Sequence, residues 1–271
     1  MTETVAPQPT WIARNYPRMA WAAIAVAVLG VLAEFGSGFG YRLGLLQLQT
    51  ALQQMLPMGA YIAAGGAVLC LITLALGATV HKEAFLKRSA PVIVALVASG
   101  TAVYLPYSMR ASAAGLPPIH DITTDIDNPP VFVDVVPLRA QTGAVNPPEY
   151  LRDRSGRRTL NVPEAQKKAY PDIQTLTFDG VTPAAAYARA LAAVKKTGWT
   201  LVADKPEEGR IEAFDRTFWF GFYDDVVIRV APTDTGSKID IRSKSRVGGG
   251  DVGTNARRVR GYIKTLMATP S

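Results

Sequence analysis

Asp240, Arg242, Lys244 and Arg246 stand at every second position of the run KIDIRSKSR, alternating with Ile239, Ile241 and Ser243. In an extended strand this spacing puts the charged set on one face and the other set on the opposite face. The charged face is a basic stripe. Gly248, Gly249 and Gly250 follow, where the missing Cβ lets backbone approach a ligand, and Asp251 or Thr254 then stands where a helix cap is expected. Free N–H groups at a helix N-terminus attract anions, and neighbouring arginines strengthen the attraction. Arg242, Lys244, Arg246, Gly248, Gly249, Gly250, Thr254 and Arg257 are therefore candidates for holding a phosphate, a carboxylate or a partner protein. The competing reading pairs Arg242 and Arg246 with Asp224, Asp225, Asp240 or Asp251 as an internal brace, and an ionised Asp251 would repel an anion.

A second candidate is the aromatic run FWFGFYDD, Phe218 to Asp225. Trp219, Phe220, Phe222 and Tyr223 either pack a sheet or line an apolar cleft that touches lipid. Catalytic templates find little. The histidines are His81 and His120 and the cysteine is Cys70, so no zinc set can form in one domain, and neither a G-x-S-x-G elbow nor a phosphate-binding loop is present. Asp121, His120 and Ser243 or Ser245 leave a hydrolase reading that no spacing supports. Asp121, Asp125 and Asp127 lack the glycine and terminal glutamate of a calcium loop and read as turn caps. The expectation is a protein that is not an enzyme, with no metal and no cofactor.

The elements that position these residues fall in two solvents. Residues 1–109 carry six Lys or Arg and three Asp or Glu, against 23 and 19 in residues 110–271. Three apolar stretches are long enough to cross a bilayer, giving expected transmembrane helices at about 19–38, 59–80 and 90–109 within a membrane region 19–109. Leu45, Leu48, Leu52, Met55 and Leu56 recur at helical spacing and predict an interfacial helix over about 43–56. Glu34 falls near the outer end of the first span, within expected reach of water. Arg14, Arg18, Lys82, Lys87 and Arg88 on one side outnumber Arg42 and Arg110 on the other. This predicts a cytoplasmic tail at 1–18 and a periplasmic domain at 110–271 of a multi-pass inner-membrane protein.

Ten of the 19 prolines lie between Pro106 and Pro171, so that stretch should be extended and irregular, with one short strand at Val131 to Val136. Thr182 and Pro183 open an alanine-rich helix that Gly198 ends. Strand-like runs follow at Trp199 to Ala203, Arg210 to Phe218, Val226 to Ala231 and Lys238 to Ser243, then a helix from about Val252 to Met267. Short separators imply an antiparallel meander. The fold class is α+β: three transmembrane helices, then a two-layer domain with a four- to five-stranded, mainly antiparallel sheet and two helices.

The runs HDITTDIDNPPVF, RIEAFDRTFWFGFYDDVVIRV and IDIRSKSRVGGGDVGTNARRVRGYI, with YPDI at Tyr170 to Ile173, resemble the bacterial and plastid family called domain of unknown function 1499, over about residues 119–266. The resemblance implies no activity and no catalytic residues. Together these observations predict a membrane protein whose partners are the lipid bilayer and an anionic lipid or envelope protein, not nucleic acid. The alternative is an accessory or scaffold subunit of a larger membrane complex.

Overall fold

The computed structural model describes residues 10–81, 84–154 and 160–270; residues 1–9 of the expected tail and Lys82 lie outside these. The chain divides into two compact units, Met1–Ser112 with Trp219–Gly221, and Ala113–Phe218 with Phe222–Ser271.

The first unit is built on α1 (Trp11–Arg42), α2 (Leu56–Val80) and α3 (Phe85–Ala113). Three helices, Trp11–Arg42, Thr50–Val80 and Phe85–Ala113, are long and apolar enough to cross a membrane. The residues of the expected interfacial helix do not form a separate element. A turn with Gly44 at φ 74° is followed by a π-helical stretch, Thr50–Met55, that runs directly into α2. The cause is Pro57: its ring has no N–H and crowds the carbonyl four residues back, and the wider π turn over that carbonyl lets the helix continue.

α1 and α2 pack antiparallel along a seam of small residues. Ala20, Ala23, Ala27 and Gly30 are buried on α1, and Gly59, Ala63, Gly66, Cys70 and Gly77 on α2. A Cβ added to Gly30 would lie 2.2 Å from the Ala63 nitrogen, and one on Gly66 would lie 2.6 Å from Ala27 Cα. The backbones therefore touch, as dispersion-driven association in lipid requires. Glu34 falls on this seam opposite Gly59, not in water: it is 0% exposed, and neither carboxyl oxygen has a hydrogen-bond partner among the described residues. One helical turn beyond Gly30, its side chain enters the interface instead of running toward the helix end.

The second unit carries β1 (Asp121–Thr123), a pair formed by β2 (Asp153–Arg154) and β3 (Leu160–Asn161), α5 (Val162–Ala169), β4 (Leu176–Asp179), β5 (Thr200–Lys205), β6 (Arg210–Arg216), β7 (Tyr223–Pro232) and β8 (Gly236–Ser245); six of these strands form an antiparallel sheet in the order β1-β8-β7-β6-β5, with β4 also on β8. The meander comprises β5 (Thr200–Lys205), β6 (Arg210–Arg216), β7 (Tyr223–Pro232) and β8 (Gly236–Ser245). β1 (Asp121–Thr123) and β4 (Leu176–Asp179) share the free edge of β8, pairing Thr123 with Arg242 and Leu176 with Ile239, which raises the strand count above the four or five expected. The outer side of β1 is blunted by Gln166, whose amide donates to the Thr123 carbonyl at 2.6 Å and accepts from its N–H at 3.1 Å.

α6 (Pro183–Thr197) and α7 (Thr254–Met267) cover one sheet face. Thr182 Oγ1 accepts from Ala185 N, and Gly198 ends α6 at φ 79°. Between them and the sheet lie Ala190, Val194, Ile211, Val226, Ile228, Ile239, Ile241, Val259 and Leu266. The opposite face is covered by the proline-rich stretch. Val131 to Val136 form no strand there; the N–H groups of Val133 and Val135 donate to the two carboxylate oxygens of Glu212 on β6, each at 2.8 Å, and α4 (Val136–Gln141) begins immediately. A carboxylate thus takes the donors a neighbouring strand would have taken.

Gly66→Val is expected to separate α1 from α2 and destabilise the helical unit by about 2–3 kcal/mol. Thermal unfolding of the detergent-solubilised chain reads this, with Gly65→Val, where a Cβ meets open space, as the control.

Candidate functional site

The charged face of β8 points into the proline-rich covering. Arg242 spans it: Nε and Nη2 donate to the two oxygens of Asp121 at 2.8 Å each, Nη1 to Pro130 O at 3.0 Å, and Nη2 also to Pro148 O at 2.9 Å. Its guanidinium lies 4.7 Å from the Phe132 ring centroid and 5.5 Å from that of Tyr150. Lys244 Nζ donates to Glu149 O at 2.6 Å and stands 2.9 Å from Asp121 Oδ2. Arg246 pairs with Asp225 at 2.6 Å, and its Nη1 donates to Leu138 O and Thr142 Oγ1. Arg139, from α4, meets the same Asp225 carboxylate. The side chains of Arg242, Lys244 and Arg246 are 2% exposed or less. The basic stripe is therefore an internal brace, with Asp225 among the partners that the sequence suggested and Asp121 added.

Burial pushes the Asp121 carboxyl up, but Arg242 and Lys244 outweigh it and hold the group below its ordinary 3.8. For Lys244, burial prevails over the pull of Asp121 and lowers its affinity for the proton. Burial likewise prevails at Asp224 over its partner Arg258, raising that carboxyl.

The start of α7 is closed by the chain itself. Asp251 accepts from Gly253 N at 2.8 Å and from Asn255 N at 2.7 Å, so a carboxylate already fills the place an anion would take. Gly248, Gly249 and Gly250 are exposed; Gly248 O accepts from Asn146 Nδ2, and Gly250 packs beside Pro118. Thr254 and Arg257 stand apart from the brace. They line an open groove of about 420 Å³ with Thr197, Trp199, Asp215 and Thr265. Arg257 folds back over the helix start, donating to Val252 O and Thr254 Oγ1 at 3.0 Å each, and remains exposed. The groove floor is Arg258, which is saturated by Asp215, Asp224, Ser243 and Asn255.

The aromatic candidates are divided between the two units. Trp219 and Phe220 belong to the helical unit, where Trp219 Nε1 donates to Phe35 O at 2.9 Å and its ring lies across Gly38, while Phe220 faces Tyr41 at 6.4 Å. Phe222 and Tyr223 belong to the sheet unit, where the Tyr223 ring supports Arg246 at 4.9 Å. The hydrolase set sits together where β1 meets β8, with Ser245 N donating to His120 O at 3.0 Å, but its side chains are taken up in structural bonds. Asp121 serves Arg242 and Lys244, and the Ser243 and Ser245 hydroxyls bond Asn255 at 2.6 and 2.8 Å. Asp125 caps its turn through Asp127 N and Asn128 N, as expected of it. Arg139, Asn255 and Arg258 were invisible as partners in the sequence, although Arg258 lies at an angle on α7 between its polar and apolar sides.

Two outcomes follow from the brace. Arg242→Met should destabilise the sheet unit by about 3–5 kcal/mol, since Asp121 loses its bidentate partner, whereas Lys244→Met leaves that pair intact and should cost under about 1.5 kcal/mol; denaturant unfolding of the two variants checks the order. Because the folded Asp121 carboxyl is lowered, its contribution is present above pH 3.8 and is lost as pH falls through the folded value. Asp121→Asn should be less stable than the parent at pH 7 and show a shallower acid loss below pH 3.8 when stability is measured against pH.

No curated protein and no solved structure matches the chain. Residues 121–266, more than half of its length, match the family described as Protein of unknown function (DUF1499), and the interval runs from β1 to the last turn of α7. The match takes in the strands of the sheet and both covering helices, and this chain belongs to the DUF1499 family.

Proposed function

We propose that this chain is a non-enzymatic binding protein held in a bacterial inner membrane, with its N-terminus in the cytoplasm and its sheet domain in the periplasm. The surplus of Arg and Lys on the N-terminal side supports the orientation. The sheet domain takes an anionic group, of the kind a lipid headgroup or an envelope protein presents, in the groove beside α7. One observation carries this reading: Arg257 is the member of the basic candidate set that remains exposed, and it lines an open groove with threonine hydroxyls and the Trp199 ring. The remaining basic candidates are committed to the brace, and the serine and aspartate groups a hydrolase would use are committed to structural bonds. A ligand there meets part of the Arg257 fork, hydroxyl donors and an aromatic wall, a set suited to orientation and not to bond cleavage.

Titration of the solubilised full chain with short-chain phosphatidylglycerol, followed by NMR of the α7 residues, tests the site. Shifts at Thr254 and Gly261 that weaken about fivefold or more in Arg257→Ala support it. Equal binding by both proteins, or none by either, overturns it. A stoichiometric protein co-purifying through the helices, with no ligand in the groove, would favour the scaffold role instead.

A further inference from the structure

A cavity of about 330 Å³ opens at the Arg-rich end of the helical unit, lined by Tyr16, Ala20, Trp21 and Ile24 of α1, His81 after α2, and Arg88 and Val92 of α3. Its polar groups sit together at that end. Arg88 Nη1 contacts His81 Nδ1 at 3.1 Å, and Tyr16 Oη contacts Ser89 Oγ at 2.9 Å. A guanidinium can only donate, so His81 Nδ1 accepts and the ring hydrogen sits on Nε2. Nε2 is buried and has no partner among the described residues. The site therefore holds an exposed cation at its mouth, oriented by the His81 ring, with no carboxylate on it among the described residues, and an anionic group is what that cation lacks.

The same pair of helices opens again further along. A second opening between α1 and α3 is lined by Ala27, Val28, Val31, Leu32, Ala95 and Ala98, without a polar side chain. Ala20, Ile24, Ala27, Val31 on α1 and Arg88, Val92, Ala95 on α3 follow helical spacing, so both openings lie on one continuous stripe. From Ala20 to Leu32 that stripe spans roughly 18 Å at 1.5 Å per residue, close to the roughly 15 Å of one leaflet's hydrocarbon. Trp21 is 70% exposed at the wide end, where an interfacial aromatic belongs, and Arg14 and Arg18 add charge to the same end of α1.

We infer that the α1–α3 groove is a binding site for one anionic phospholipid of the surrounding leaflet, its phosphate on Arg88, which the His81 ring orients, and one acyl chain along Ala27, Val31 and Ala95. Charge at one end and an apolar stripe of about leaflet length beyond it select a lipid over a free phosphate. This site is separate from the Arg257 groove and stands or falls independently of it.

Reconstitution of the full chain into nanodiscs of mixed phosphatidylglycerol and phosphatidylcholine, followed by native mass spectrometry, tests the inference. The parent should retain phosphatidylglycerol about fivefold above its share of the mixture, as one desolvated charge contact implies. Arg88→Ala should bring retention to that share, and Val31→Trp should lower it by filling the channel while leaving Arg88 in place. Inorganic phosphate added in excess should not displace the lipid. All retention is measured in the Arg257→Ala background, so that lipid held in the α7 groove does not count and the Arg88 dependence belongs to this site alone. Circular dichroism with thermal melting confirms that each variant is folded, and a variant that fails this is replaced by Arg88→Gln or Ala95→Phe. Parent retention without preference for phosphatidylglycerol, retention by Arg88→Ala equal to the parent, or displacement by phosphate would each overturn the assignment.

Discussion

The cationic side chains of β8 and α4 donate into the backbone of a segment that cannot hold itself in place. Residues 124–135 and 142–150 are neither helix nor strand, and the prolines at 129, 130, 147 and 148 carry no N–H with which to join a ladder. Their carbonyls are left as acceptors. Arg242 takes Pro130 and Pro148, Lys244 takes Glu149, Arg139 takes Asn146, and Arg246 takes Leu138. Apolar contact on this face is thin, with Phe132, Val135 and Val227 as its buried members. Charged donors are therefore what closes the second side of the sheet. Hydrogen bonds to charged groups contribute about 1.5–3 kcal/mol each when made, and an unpaired buried cation costs more than that, so the arrangement works only when complete. Asp121 and Asp225 complete it by placing one carboxylate between each pair of cations.

The helical unit solves its packing in the opposite way. Lipid offers no hydrophobic gain when one apolar helix meets another, so attraction comes from close backbone contact. Gly30, Gly59 and Gly66 provide that contact by having no side chain at all. Glu34 is the exception on this seam, a fully buried acid facing the backbone of Gly59. In the sheet domain every cation of the brace meets a carboxylate, whereas the seam gives the Glu34 carboxyl no hydrogen-bond partner among the described residues. The two units of one chain are stabilised by physically unlike means, which the uneven charge distribution already implied.

What was legible in the sequence is what depends on neighbours in sequence. Alternation along β8, the Thr182–Pro183 start and Gly198 end of α6, and the three apolar spans are all local patterns. The misread features depend on distant or subtler partners. Glu212 lies 79 residues from Val133 and converts an expected strand into an extended strap. Gln166 lies 43 residues from Thr123 and finishes the edge of a strand too short to announce itself. Pro57 should break a helix by local rules, yet the π turn preceding it carries the helix through. Glu34 was placed by depth along its helix when the angle around the helix decides its exposure.

The basic stripe shows why charge patterning alone does not identify a ligand site. Alternating Asp, Arg and Lys on one strand face produces the same sequence whether the face meets solvent or a buried strap. What distinguishes the cases is the supply of acceptors elsewhere in the chain. Here prolines without donors and carboxylates on β1 and β7 supply enough to absorb Arg242, Lys244 and Arg246. Cations at element ends escape this absorption, because the terminal turns of a helix project past the packed layers that hold such acceptors. Arg257 at the start of α7 and Arg88 in the first turn of α3 are both exposed in this sense, and each borders an open cavity. The exposed cations thus stand at element ends, and the most conspicuous cluster of charge serves the fold.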